Sequence, residues 1–515
     1  MSQNPYNIIF HFGAPLNPGV NMKGEAIYWA AFLVYSALVV FIGYYIYFKD
    51  RRKGLAQENR TYWSANQNLS GWSLGLSISA SMMSISWSCV YGVQLFYWYG
   101  VGGAWLLIIP WLITMAGFFV LAPLFRKMQV FSQPELLEKR FGTRTRRLLA
   151  PTLIFVFTTW AGAEIYAAGT TIAPFLGISV PLTIFLIAFI VALYSYTGGF
   201  EAVVSTDKIQ FLLVALFISI IAYLGLKAVH LSESGIVSLF HTPPPPKQVA
   251  PSLWISPGMA LILLTFFAYL PGWLVETDVW IRLQAGRNNR EARKGVAIAS
   301  LNSLIFVGIL PLVIGLAALH LFPPVNGVIP ERIQDGALIF TALMQDYSPT
   351  WLNAILGIGL IAAAMSTVDT CGNVVALSLS YDLIEPHLKH RRTPEQLNRI
   401  ARWSSVLAIF LAFVYALFTN SLWDIFYLSS GILTTTVFLP VVASFHPATT
   451  ARQVNAAILA GFLGTILFYF LEKYGVLTGV EPRWMAQTGL GYIFWGFLLS
   501  AVGFISGKSR THEPG

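Results

Sequence analysis

Apolar residues run through this chain in long blocks, each about as long as a helix must be to cross roughly 30 Å of hydrocarbon at about 1.5 Å per residue. Windows of this kind fall near residues 27–48, 72–98, 103–124, 149–176, 180–197, 207–229, 257–281, 296–322, 350–384, 403–419, 422–445, 453–472 and 486–506. The pattern predicts an all-α polytopic membrane protein with about 13 transmembrane helices and no soluble domain.

Polar positions inside the blocks are few and clustered. In the ninth window, GLIAAAMSTVDT (Gly359 to Thr370) extended by Asn373, residues Gly359, Ala363, Ser366, Thr370 and Asn373 fall three or four apart on one small or polar stripe, with Asp369 beside it. A carboxylate at that depth costs several kcal/mol unless it is paired or coordinated. Two other windows look broken. The second, GWSLGLSISASMMSISWSCVYG, carries Ser77, Ser79, Ser81, Ser84, Ser86 and Ser88, and the seventh, LTFFAYLPGWLVETD, carries Pro271 and Gly272. Interrupted spans at matching places in two halves point to a transport site near the midplane, although serine-rich or proline-containing spans can also be simply close-packed or kinked. The two lie five spans apart, and five is odd, so the halves insert with opposite topology. The expected organisation is an N-terminal segment with the first helix (1–71), a core of two inverted five-helix repeats (72–446) and C-terminal helices with a short cytoplasmic tail (447–515).

Composition agrees with the membrane reading: of 515 residues, 56% are hydrophobic and only 11% charged, too little polar surface for a soluble protein of this length. The net charge of +9 invites a nucleic-acid partner, but its distribution removes the need for one. With the amino terminus outside, 26 of the 32 Lys and Arg fall in inner loops and tails, as the positive-inside bias requires. The expectation is a multi-pass plasma or inner membrane protein with its carboxyl terminus cytoplasmic and lipid as its surroundings. The start has no basic region before an apolar core, so no cleaved signal peptide is expected. Cys89 and Cys371 have neither disulfide nor metal spacing, and the eight histidines are scattered with no HExxH, CxxC or P-loop, which argues against an enzyme. Of the outer loops, PPPP at 243–246 reads as a stiff extended spacer, and GALIFTALMQ, within Pro323 to Pro349, as a short surface helix.

Three segments carry a family resemblance. YTGGFEAVVSTDKIQ (Tyr196 to Gln210), IRLQAGRNNREARKG (281–295) and AAAMSTVDT (362–370) are similar, in order and spacing, to segments of the sodium:solute symporter family. The likeness runs from about Tyr62 to Phe445. It implies a LeuT-like core of five plus five inverted helices and uptake of a small organic solute driven by Na+ as coupling ion, with no organic cofactor. By position, Ala80, Met83 and Ala363 would offer carbonyls to Na+, and Ser366 and Thr367 hydroxyls. Met82 stands where some members carry an aspartate, so any role of that carboxylate is absent. Back-bonding to their own helix is the plain alternative for the two hydroxyls. Asp207, Asp369 and Thr370 match a second cation site of some members; a proton site is the alternative there, and a helix cap is another reading of Asp207. The solute would lie among Ser84, Trp87, Ser88, Gln94, Trp105, Glu164, Tyr269, Trp273, Tyr427 and Ser430. Glu164 would read a solute amine or hydroxyl, or else pair with an internal base. Asp278 and Arg282 are expected to form an ion pair at the cytoplasmic gate. Proton-coupled transport and a non-transporting solute sensor on the same fold are the other readings.

Overall fold

The computed structural model describes residues 25–52, 68–196, 200–231, 243–388 and 393–508. The start of the chain, residues 197–199 of the YTGGF motif and the basic residues between 53 and 67 and between 389 and 392 lie outside the described residues.

A helix occupies each of the thirteen windows. Among the described residues ten helical stretches are long and apolar enough to cross a membrane; one of them, Ile85–Met128, holds the third window and the second half of the second, whose first half is the helix Gly71–Met82, and Val180–Ser195 and Gly491–Ser506 are shorter apolar helices in the fifth and thirteenth windows. In chain order the elements used below are α1 (Glu25–Arg52), α2 (Gly71–Met82), α3 (Gly92–Tyr99), α4 (Ile108–Met128), α5 (Gln133–Phe141), α6 (Thr143–Leu176), α7 (Val180–Ser195), α8 (Phe200–Leu231), α9 (Met259–Trp273), α10 (Thr277–Ala285), α11 (Asn289–Ser303), α12 (Leu310–Leu321), α13 (Ile339–Tyr347), α14 (Thr350–Leu377), α15 (Pro394–Phe418), α16 (Leu422–Ile432), α17 (Leu439–Ala443), α18 (Ala451–Lys473) and α19 (Gly491–Ser506). Among the described residues there is no sheet.

Burial sorts these helices. The window covering α14 is 72% buried, against 28% for α1 and 33% for α18. Helices α1 and α18 therefore contribute least to the buried interior, and the polar stripe lies inside it. α14 packs against α6, α8 and α15, while α2 packs against α8 and α11. Gly359 permits one of these approaches, since a Cβ there would lie 2.5 Å from Phe217 on α8. Helix α13 differs from the surface helix expected of GALIFTALMQ: Ile339 to Met344 are buried, because the segment packs on α8 instead of facing water.

The second and seventh spans are both interrupted, but the second interruption is displaced from the expected place. Pro271 stays within α9, and the helix ends after Trp273. What opens the ladder is a hydroxyl: Thr434 Oγ1 accepts from Gly272 N (3.0 Å) and donates to Ala268 O (2.6 Å), standing between a donor and acceptor four residues apart. Such an insertion needs α9 to approach the α16 region closely. A Cβ on Gly272 would lie 2.8 Å from Leu433 Cβ and 2.9 Å from both Ser430 O and Thr434 N. Gly272→Ala is therefore expected to lower stability by about 1–3 kcal/mol through overpacking, read as a lower unfolding temperature of the purified protein; an unchanged temperature would contradict this approach.

Candidate functional site

Breaking a helix inside a membrane exposes carbonyls on one side of the break and N–H groups on the other, and lipid satisfies neither. After Ser81 the first break does both. Met83 leaves helical geometry (φ −82°, ψ 51°) and Ser84 begins a short π-helical turn, Ile85–Tyr91, that leads into α3. Two donors, Ile85 N and Ser86 N, reach Glu164 Oε2 on α6 at 3.1 and 3.3 Å; Ser86 Oγ bonds to the other carboxylate oxygen, and Trp87 N donates to Ser84 Oγ (2.8 Å). The carbonyls are met from α14. Ser366 Oγ donates to Ala80 O (3.1 Å) and Thr367 Oγ1 to Ser81 O (3.0 Å), while both also reach Ala363 O, at 3.0 and 3.5 Å.

Three carbonyls and two hydroxyls thus converge between α2 and α14, wholly buried. Of the five residues expected there, Ala80, Ala363, Ser366 and Thr367 come together. Met83 instead terminates α2, with its N–H on Ser79 O (2.9 Å). Ser81 takes part without having been expected; its place one residue along the broken span from Ala80 was the available signal. Back-bonding and cross-helix bonding occur at once.

Against this cluster lies a cavity, which Ser81 and Thr367 also line. Of the residues expected around a solute, Ser84, Trp87, Glu164, Trp273 and Ser430 line it. Among the described residues Glu164 forms no ion pair; Oε2 holds the N–H groups of the break and the other oxygen the Ser86 hydroxyl. Tyr269 and Tyr427 lie in one stack with Trp273, with ring centroids 4.2 Å (Tyr269 to Trp273) and 4.9 Å (Tyr269 to Tyr427) apart. Ser88 turns away to Ser84 O (2.7 Å), and Trp105 packs on Phe266. Gln94 binds the loop before α13, through Asp335 O at 2.8 Å. Lining residues missed in the sequence are Met82, Trp111, Phe157, Trp160, Cys371, Phe426, Glu276 and Asp278. The aromatic ones carry no signal in a chain so rich in aromatics, whereas Glu276 and Asp278, directly after the Pro271–Gly272 pair, were legible.

At the end of the bundle where α8 meets α9, the proline run leads into Lys247, whose ammonium pairs with Asp335 (2.9 Å) and sits 3.3 Å from the centre of the Trp98 ring. Desolvation there pushes the Lys247 ammonium down from its ordinary pKa, against the opposing effect of Asp335.

The opposite end is tied by a buried guanidinium. Arg282 on α10 reaches Asp278 Oδ2 and Asp207 Oδ2, both at 3.4 Å, and donates to Thr370 Oγ1 (2.8 Å) and Ser77 Oγ (3.0 Å). Ser77 in turn donates to Asp207 (2.5 Å). The expected Asp278–Arg282 pair is thus present within a wider network. Asp207, Asp369 and Thr370 do not gather round one centre: a positive side chain already joins Asp207 to Thr370, while Asp369 accepts from Ser195 Oγ (3.0 Å) beside a separate small cavity that Asn373 also lines. Nor does Asp207 cap a helix, because α8 begins at Phe200, seven residues earlier.

The family model described as the sodium:solute symporter family matches residues 62–461. Among similar proteins, the sodium/sialic acid symporter NanT of Aliivibrio fischeri is 25% identical over 454 residues, covering 85% of each chain. The sodium/glucose cotransporter of Vibrio parahaemolyticus is 23% identical over 474 residues, covering 85% of this chain and 84% of its own. A solved structure of a Na+-coupled sialic acid symporter, in a substrate-bound outward-open state, superposes with a TM-score of 0.72 at 19% identity, covering 93% of this chain and 97% of the other. The fold is therefore LeuT-like.

Proposed function

This chain belongs to the sodium:solute symporter family, and from that premise we propose that it takes up a small polar organic solute together with Na+ by alternating access. The observation that carries the reading is the set of oxygens between α2 and α14. Na+ is a hard cation that suits several oxygen donors, and here Ser366 Oγ lies within hydrogen-bonding distance of Ala80 O and Ala363 O, and Thr367 Oγ1 of Ser81 O and Ala363 O. In the proposed cycle the two hydroxyls turn their protons away from the ion, and Ser366 has Ala363 O to receive one. The ion then fastens α2 to α14, and solute fills the adjoining cavity. Met83, at the end of α2, completes the set if its carbonyl turns inward. Asp369, apart from the guanidinium, is the carboxylate suited to a second cation or a proton, whereas Asp207 and Thr370 are read as partners of Arg282. The lysine and arginine bias supports an outer amino terminus, and residues 72–446 are read as the transporting core.

A Na+ titration of the unfolding temperature tests this without knowing the solute, because an ion bound only by the folded state stabilises by RT ln(1 + [L]/Kd). Na+ is expected to raise the temperature where K+ at equal ionic strength and pH does not. Replacing Ser366 and Thr367 together with Ala is expected to raise the half-saturating Na+ at least about tenfold, equivalent to about 1.4 kcal/mol. Equal stabilisation by both ions would sink the assignment.

A further inference from the structure

Two acids stand side by side in the wall of the central cavity. Glu276, just before α10, and Asp278, in its first turn, both line the cavity and are 3% and 2% exposed. Glu276 is hydrogen-bonded to Asp278. Ionised carboxylates only accept hydrogen bonds, so a bond between two carboxyl groups contains a proton that one of them supplies.

Which acid supplies it follows from their partners. Asp278 accepts from Val279 N (2.6 Å) and Ser81 Oγ (3.3 Å) and lies 3.4 Å from the Arg282 guanidinium. Glu276 makes no side-chain cap to α10, and the guanidinium that acts favourably on it is the one Asp278 and Asp207 already share. Three acids around one guanidinium leave uncompensated charge in a low-dielectric interior, which a proton on Glu276 reduces. Asp278 keeps the charge and Glu276 the proton.

The pair is joined to the oxygen set between α2 and α14. Ser81 turns its hydroxyl to Asp278 and its carbonyl to Thr367 Oγ1 (3.0 Å), so one residue belongs to both. A cation among those oxygens favours the ionised form of the acids next to it. The coupling is reciprocal, so a proton on the pair weakens the hold on the cation.

Resting on the Na+ reading above, we infer that Glu276 and Asp278 form a proton site in the cavity wall, and that Na+ entering the oxygens beside Ser81 displaces its proton. The Glu276 O–H bond breaks, its electron pair stays on the carboxylate, and the proton passes to water when the cavity opens. One positive charge replaces another.

The other titratable groups around the pair are engaged elsewhere. Glu164 on α6 holds the N–H groups of the first break, Asp207 on α8 shares Arg282, and α2 carries no titratable side chain. On α14 the Cys371 thiol lines the same cavity, whereas Asp369 accepts from Ser195 Oγ beside a separate one. Arg126 on α4 holds Leu283 O and Gln284 O at the far end of α10, and Glu135 on α5 accepts from Phe131 N. On α11, Glu291, Arg293 and Lys294 face Gly71 N, the Phe119 ring and the Trp72 ring.

The test titrates Na+ against the unfolding temperature of the purified full chain at several pH values, with K+ keeping the ionic strength constant. From about pH 9 to about pH 5 the half-saturating Na+ is expected to rise at least about tenfold, because the protonated pair must lose its proton to admit the ion. Na+ added to a lightly buffered solution of the protein is expected to acidify it where K+ does not. Glu276→Gln imitates the protonated acid, since its amide can donate to Asp278 and carries no charge. The variant is expected to hold the half-saturating Na+ at the weak value of the native chain in acid, at every pH, and to release no proton. An infrared C=O band of a protonated carboxyl, present in the native chain at neutral pH and missing from the variant, supplies a readout that needs no Na+. The inference is overturned if Na+ stabilises the native chain equally at every pH, if it releases no proton, if the infrared band is the same in both proteins, or if Glu276→Gln keeps the native pH dependence, which would assign that dependence to another acid such as Asp369. Should the variant fail to fold, proton release by the native chain decides. Absence of any Na+ stabilisation would count against the symporter reading instead, and the infrared band would then decide the proton site by itself.

Discussion

Arg282→Gln lowers stability by about 3–5 kcal/mol, the range for leaving buried charges without their partner. Asp207 and Asp278 are both buried and both lean on that guanidinium. A glutamine reaches neither with a charge, so two carboxylates would stand close together in a low-dielectric interior. The measurement is the unfolding temperature and folded yield of the variant in saturating Na+. A double variant that also carries Asp207→Asn should recover part of the loss, because it removes one of the two orphaned charges. The coupling between the two positions, read from a double-mutant cycle, should amount to at least about 1 kcal/mol. A single variant as stable as the native chain would mean that these acids are neutralised by other means.

Glu164→Ala is the second large effect. The carboxylate accepts from Ile85 N and Ser86 N and from the Ser86 hydroxyl, all at the mouth of the first break. Each buried donor left bare costs about 1–3 kcal/mol, so a total loss of about 3 kcal/mol or more is expected. Glu164→Gln, which keeps one oxygen, should fall between the two. Limited proteolysis or hydrogen exchange across residues 82–88 should rise in the alanine variant before the rest of the chain responds. Exchange unchanged in that segment would contradict the role of Glu164 as the anchor of the break.

The spans were legible because their signal is bulk apolar length, which survives uncertainty in any single residue. The shorter helices α7 and α19 were still found, since both are apolar throughout. The first break was legible in its serines and the second only in part. Pro271 drew attention to the right turn of α9, but the agent that opens it, Thr434, is more than 160 residues away in the chain and looks like any threonine in an apolar run. Ser366 and Thr367 were found through spacing and family likeness, and Glu164 through its depth. Its purpose was missed for the same reason in every case: a hydrogen bond between distant segments leaves no local pattern. The grouping of Asp207 with Asp369 failed on side-chain direction, which spacing alone does not carry, because a base on α10 had already claimed one of them.

The two ends of the bundle differ in hardness. At one, Lys247 and Asp335 are 37% and 53% exposed; such a pair is worth about 0–1 kcal/mol and fades with salt. At the other, a guanidinium is shared among four buried partners. The first end can loosen by thermal motion alone, whereas the second must surrender several contacts together and has no comfortable halfway position. In the proposed alternating access, the end latched by Lys247 and Asp335 is expected to open more readily than the end locked by Arg282.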